Sequence, residues 1–234
     1  MDSRIDRIRE NEKKSHTEIY QKETLYSSNT WLGKPIKTVK DLVPYFVDHE
    51  SIRVLDLGAG VGRNSIFLAE QFKDKDCRID CVDLLDIAID KLKHNASDFD
   101  VADSINGIVS SIEDYTIELN SYDLIMAVSA LEHVESEESF VSKLKEIERG
   151  IRDHGIVCLI INSEICELNL ETSEELEPQF EVNLSTTQMQ NILNDVFENW
   201  TVIKENVVCQ KYEIPRDGIN SRLTTNVVTY VVQR

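Results

Sequence analysis

The stretch Val54-Leu55-Asp56-Leu57-Gly58-Ala59-Gly60-Val61-Gly62-Arg63-Asn64-Ser65 decides the fold. An apolar run enters three glycines at alternate positions and continues into a helix whose apolar face is Ile66, Phe67, Ala69 and Phe72. Strand, glycine turn, helix is the opening of a βαβ unit. Glycines there permit a tight turn and close backbone approach to a ligand, and the helix start offers free N–H groups. The usual dinucleotide pattern, G-x-G-x-x-G, needs its third glycine one residue later than Gly62, and Arg63 stands at that place. The turn therefore departs from a pyrophosphate cradle.

Working outward, a strand–helix alternation extends downstream. Strands are expected at Ile52–Leu57, Arg78–Val82, Gly107–Ser111, Asp123–Val128 and Ile156–Ile161. Helices are expected at Asn64–Phe72, Asp86–Ala96 and Glu137–Arg149. Apolar strands alternating with amphipathic helices predict a parallel sheet covered on both faces. Upstream, residues 1–26 read as a polar helix, Ser27–Pro35 as a break, and Thr38–Val47 as a short helix. Past the fifth strand the pattern changes. Ser163–Leu184 holds seven glutamates and no Lys or Arg, and reads as a long acidic insertion, either a solvated loop or the border of a pocket for a cationic group. Ser185–Val196 is then a helix, and Trp200–Cys209 and Asn226–Val232 are an antiparallel pair joined by a turn-rich segment. The expected architecture is α/β: a Rossmann-like, seven-stranded, mostly parallel sheet with an antiparallel last strand and helices on both faces. Residues 1–37 form a helical extension or lid, and 38–234 form the main domain, with 163–184 as its acidic insertion. Tyr20, Tyr26 and Trp31 are candidates to fold over a ligand or to anchor the extension.

The chain's 234 residues suffice for one domain with an extension and a core that needs neither disulfide nor metal. Acidic residues outnumber basic ones 43 to 25, a net charge of -18 that repels polyanions at long range and disfavours nucleic acid as substrate. No apolar run is long enough to span a bilayer, and the first twenty residues lack a signal-peptide core. Five cysteines without a CxxC pair indicate neither a disulfide framework nor a zinc knuckle. A cytoplasmic location follows as an expectation. The histidines lie without cluster or ligand spacing, so no metal is expected.

Asp83 ends the second strand, 25 residues after Gly58, where a carboxylate can accept from both hydroxyls of a ribose. Asp56-Leu57-Gly58-Ala59-Gly60-Val61-Gly62 followed by Asp83 resembles the class I S-adenosylmethionine-dependent methyltransferases. Tyr122–Met126 with Ala130-Leu131-Glu132-His133-Val134 resembles that family's fourth strand and the loop after it. His154-Gly155, read as a turn, with Ile156–Ile161 resembles its fifth strand, and the terminal strands resemble its sixth and seventh. The run Gly58–Ser65 is similar, more narrowly, to the tellurite-resistance branch and its small-molecule relatives.

The resemblance implies S-adenosyl-L-methionine as cofactor. Gly58, Ala59, Gly60, Gly62 and Asn64 would line its methionine and ribose portion, with Asp56 close by. Asp83 would hold the ribose and Leu84 the adenine. Ser111 and Ile112 take the adenine-edge position, where relatives often carry Asp instead of Ser. Ala127 and Val128 would lie near the methionine moiety. The sulfonium methyl is already activated, so transfer needs mainly positioning and water exclusion. His133 is the candidate general base, or else a residue that pins its loop. Asn-Pro-Pro-Tyr and Pro-Cys motifs are both missing, which argues against adenine or glutamine amino groups and pyrimidine rings as acceptors. The expected function is methyl transfer to a small-molecule acceptor by a monomer or homodimer, without nucleic-acid or membrane partner. A non-catalytic S-adenosylmethionine-binding module is the alternative. A nicotinamide-dependent oxidoreductase fits less well, since no Tyr-x-x-x-Lys pair is present.

Overall fold

The computed structural model describes residues 3–27, 30–216 and 218–234. Its elements run α1 (Ser3–Lys22), α2 (Lys37–Leu42), β1 (Ser51–Leu57), α3 (Ser65–Gln71), β2 (Asp76–Asp83), α4 (Asp86–Asp98), β3 (Ile105–Val109), β4 (Tyr122–Val128), α5 (Glu137–Gly150), β5 (Ile151–Asn169), β6 (Glu175–Leu176), α6 (Thr186–Val196), β7 (Thr201–Arg216) and β8 (Ile219–Gln233). They form one sheet in the order β3-β2-β1-β4-β5-β8-β7, with the two-residue β6 added to β5. The strands β3, β2, β1, β4 and β5 are mutually parallel, and β8 runs antiparallel between β5 and β7.

Central β4 is buried at all seven positions, as a strand covered on both faces must be. Each face has its own core. Ile52, Val54, Ile79, Leu124 and Met126 pack under α2, α3 and α4 through Leu42, Ile66, Leu68, Ile89 and Leu92. Leu55, Leu57, Ile125, Val157 and Leu159 pack under α5 and α6 through Phe140, Leu144, Ile147, Met189 and Leu193. A capping box of Ser185 and Gln188 starts α6, and the Ser136 hydroxyl caps α5 by accepting from the Ser139 N–H. The chain winds outward from β1 to β3 in one direction and from β4 to β5 in the other. The reversal leaves a crevice at the carboxyl ends of β1 and β4.

Four features differ from expectation. The edge strand β3 lies two residues earlier, over 105–109, because the chain turns at Ser111: its carbonyl accepts from the Tyr115 N–H and its hydroxyl donates to Asp114. The first part of the acidic segment is sheet rather than loop. β5 continues through Asn169, paired with β8 up to Ser221, and buries Ile165 and Glu167 on one face of the alternation. The expected turn at His154-Gly155 is an irregularity inside β5, where the register against β4 shifts and His154 takes φ 65°. Most of the segment expected to be turn-rich is strand, with β7 and β8 paired out to Arg216 and Ile219.

Candidate active site

The glycine turn fills the crevice floor. The N–H groups of Gly58 and Ala59 both donate to the Val82 carbonyl, at 2.8 and 3.0 Å, which ties the turn to β2. Gly62 is enforced by packing: it has φ 89°, and a Cβ there would come within 2.3 Å of Leu92 Cδ1 and 2.9 Å of Ile66 Cγ1. Gly60 differs. It has φ 55°, and a Cβ there would meet only Tyr20, 3.1 Å from the hydroxyl and 3.9 Å from Cζ. Its missing side chain leaves a surface that the Tyr20 hydroxyl covers rather than a filled core.

Asp83 stands beside that surface. Its Oδ2 accepts from the Gly60 N–H at 2.8 Å and its Oδ1 from the Leu85 N–H at 2.9 Å. Burial pushes its carboxyl up, and these two N–H bonds offset part of the rise. Each oxygen keeps a further lone pair for a ligand hydroxyl. Asp56 lies deeper, accepting from the Ser65 hydroxyl, and burial raises its carboxyl to about 7 against that hydrogen bond.

Helix α1 roofs the crevice. Arg9, Glu12, His16 and Tyr20 recur at helical spacing and so share one face. Tyr20 is buried and stacked on His16, with centroids 5.5 Å apart, and Trp31 meets both rings edge-on at 6.3 Å. The Arg63 guanidinium covers the Trp31 ring at 5.0 Å and donates to the Trp31 carbonyl, while the Tyr26 hydroxyl donates to the Arg63 carbonyl. At the other end, Arg4 and Arg7 both pair with Glu177, and Arg9 pairs with Glu113.

His133 lies in the 3₁₀ turn after β4. Its Nδ1 is 3.0 Å from Glu181 Oε2 and 3.5 Å from Glu12 Oε2, and Phe180 stacks on its ring at 5.0 Å. Burial opposes its protonation, but the hydrogen bond to Glu181 and the charges of Glu12 and Glu132 outweigh burial and raise it to about 9. The adjacent Glu132 is fully buried, and one of its oxygens accepts from the Asn162 backbone and side-chain amides.

Gly58, Ala59, Gly60 and Asp83 converge on the crevice beneath Tyr20. Ser111 and Ile112 are buried just past β3, and Leu84 is 44% exposed at the rim. The Ala127 side chain belongs to the core under α5, and Val128 packs with Ile160 and Val227. Asn64 is buried beside the turn, and its Oδ1 accepts from the Ile36 N–H and so anchors the segment ahead of α2. Sequence reasoning missed Arg9, Glu12, His16 and Glu181. The polar stripe 9-12-16-20 was the available signal for the first three.

Residues 54–155 match the family described as methyltransferase domain. Solved structures share the fold. TehB from Haemophilus influenzae is 17% identical with a TM-score of 0.60, over 83% of this chain and 62% of that one. A SAM-dependent methyltransferase from Methanosarcina mazei is 14% identical with a TM-score of 0.60, over 86% and 98%. The YcgJ protein from Bacillus subtilis is 14% identical with a TM-score of 0.58, over 84% and 98%. No curated protein matches by sequence. The glycine turn, the strand-end carboxylate and the sheet order lie within or beside the residues that match a methyltransferase domain. The chain shares its fold with SAM-dependent methyltransferases, and the domain match implies S-adenosylmethionine as the cofactor.

Proposed function

We propose that the protein methylates a small-molecule acceptor in the cytoplasm, within a mouth roofed by α1. The observation that carries this reading is the roof itself. Tyr20, His16 and Trp31 close the space above Gly60, and Arg4, Arg7 and Arg9 fasten the same helix across the opening. A covered mouth suits an acceptor that can be enclosed, and the net charge of -18 disfavours a nucleic acid. Among the described residues, no helix is long and apolar enough to cross a membrane.

The cofactor fits the residues present. With α1 drawn back, the surface at Gly60 that Tyr20 covers takes its methionine and ribose portion, with Gly58, Ala59 and Gly62 shaping the turn and Asp56 behind it. The spare lone pairs of Asp83 take the ribose hydroxyls. Leu84, Ser111 and Ile112 border the adenine, and the backbone of Ala127 and Val128 lies near the methionine portion. Asn64 acts as a positioning residue through its bond to Ile36. The bound cofactor supplies an electrophilic methyl group. The chain's task is then to orient the acceptor in line with that methyl and to exclude water, which α1 does by closing. His133 is engaged by Glu12 and Glu181, so a base role requires α1 to withdraw first.

The test is a transfer assay with isotopically labelled methyl donor against panels of small oxygen, nitrogen and sulfur nucleophiles, with RNA, DNA and protein panels in parallel. Label in a small acceptor supports the reading. Label confined to a macromolecule contradicts it.

A further inference from the structure

Three side chains far apart in sequence meet beneath the amino-terminal half of α1: Glu12 on α1, His133 after β4, and Glu181 ahead of α6. One ligand atom from each lies within 4.8 Å of the others. The separations from His133 Nδ1 are 3.0 Å to Glu181 and 3.5 Å to Glu12. Metal bonds of about 2.0–2.2 Å hold neighbouring ligand atoms about 3.0–3.6 Å apart in octahedral or tetrahedral arrangements. Both separations fall in that range.

A second observation points the same way. The Glu181 side chain is fully buried, and its Oε1 is held only by a long ion pair to Arg9 Nε, at 3.6 Å, with no hydrogen bond. A buried carboxylate oxygen held so loosely keeps lone pairs that a ligand, ion or water can take. The local charge is also unbalanced. Carboxylates of Glu12, Glu113, Glu135 and Glu181 surround the single guanidinium of Arg9 and the imidazoles of His133 and His16. Arg9 bonds Glu113 and reaches only one Glu181 oxygen, which leaves the other and a Glu12 oxygen facing the His133 imidazole.

We propose that Glu12, His133 and Glu181 bind one first-row divalent cation of the zinc or manganese class, clamping α1 over the mouth. One imidazole with two carboxylates selects that class over calcium and magnesium, which prefer all-oxygen sets. Three protein ligands leave a coordination position open toward the mouth's contents. Phe180, stacked on the imidazole, fixes the ring plane as outer-shell groups do in metal sites. Spacing along the chain hides such a set, because its members stand at positions 12, 133 and 181.

The full chain is stripped with chelator, dialysed, and titrated calorimetrically with ZnCl2, MnCl2 and MgCl2. The expected result is one equivalent of zinc or manganese bound with micromolar or tighter Kd, and magnesium bound at least tenfold more weakly. Glu12→Gln and His133→Gln each weaken binding at least tenfold, and the exposed Glu171→Gln leaves it unchanged. Glu12 is partly exposed on α1, so Glu12→Gln keeps the test valid if His133→Gln fails to fold. X-ray absorption of the loaded protein shows an imidazole nitrogen ligand that His133→Gln removes. No binding tighter than millimolar overturns the proposal, as does binding indifferent to both substitutions or a magnesium affinity equal to that of zinc.

Discussion

Gly60→Ala isolates the property that separates this turn from a plain connection. Alanine at φ 55° costs about 1–2 kcal/mol in backbone conformation. The new methyl lies 3.1 Å from the Tyr20 hydroxyl, a few tenths of an ångström short of ordinary contact. Tyr20 is only 4% exposed and stacked on His16, so relief requires α1 to shift, at about 1 kcal/mol, the low end of overpacking. The expected loss is about 2–3 kcal/mol. Gly62→Ala has φ 89° and drives its methyl to 2.3 Å from the fully buried Leu92, so about 3–5 kcal/mol is expected there. Tyr20→Phe removes only the opposing hydroxyl and should restore about 1 kcal/mol to Gly60→Ala, a coupling readable in a double-mutant cycle by urea unfolding. S-adenosylmethionine affinity should fall at least tenfold in Gly60→Ala, since its methyl enters the crevice. The reasoning is refuted if Gly60→Ala costs as much as Gly62→Ala, or if Tyr20→Phe restores nothing.

Asp83→Ala orphans the Gly60 and Leu85 N–H groups and removes the ribose acceptor; two hydrogen bonds to a charged acceptor, at about 1.5–3 kcal/mol each, predict at least a hundredfold loss of cofactor affinity by calorimetry with helix content unchanged. Asp56 has a folded value raised to about 7, above its ordinary unfolded value, so the stability tied to its neutral form is full below pH ~4 and is lost as pH rises through 7. Asp56→Asn should remove a slope of up to about 1.4 kcal/mol per pH unit between pH ~4 and ~7, and parallel urea midpoints for both proteins would count against it. The buried Lys143 ammonium donates to the Tyr115 carbonyl at 2.7 Å and to Glu146 at 2.8 Å. Lys143→Met should therefore cost about 1–3 kcal/mol and lower the melting temperature by several degrees in a calorimetric scan.

The inner sheet was legible because its strands are short apolar runs punctuated by glycines, and the β1 turn carries both its own geometry and its relation to Asp83. The outer strands were not. Residues 163–169 follow a two-residue alternation, but the glutamates among them suggested solvent, although Glu167 is buried and accepts from the Ser221 hydroxyl. The charge of the acidic segment has its counterweight on α1, where Arg4 and Arg7 meet Glu177 across roughly 170 residues of chain. No local pattern reports a pairing at that separation. The same holds for His133, whose surroundings come from Glu12, Phe180 and Glu181 rather than from its own loop. Asn64 adds a link of the same kind: its Oδ1 holds the Ile36 N–H, 28 residues earlier in the chain.

Calorimetric titration of the full chain with S-adenosylmethionine, its demethylated product and NAD, side by side with Asp83→Ala, tests the central claim most directly. The account predicts micromolar binding of the first two at one equivalent, none of NAD, and loss of both signals in the variant. Binding of NAD alone, or S-adenosylmethionine binding untouched by Asp83→Ala, would contradict it.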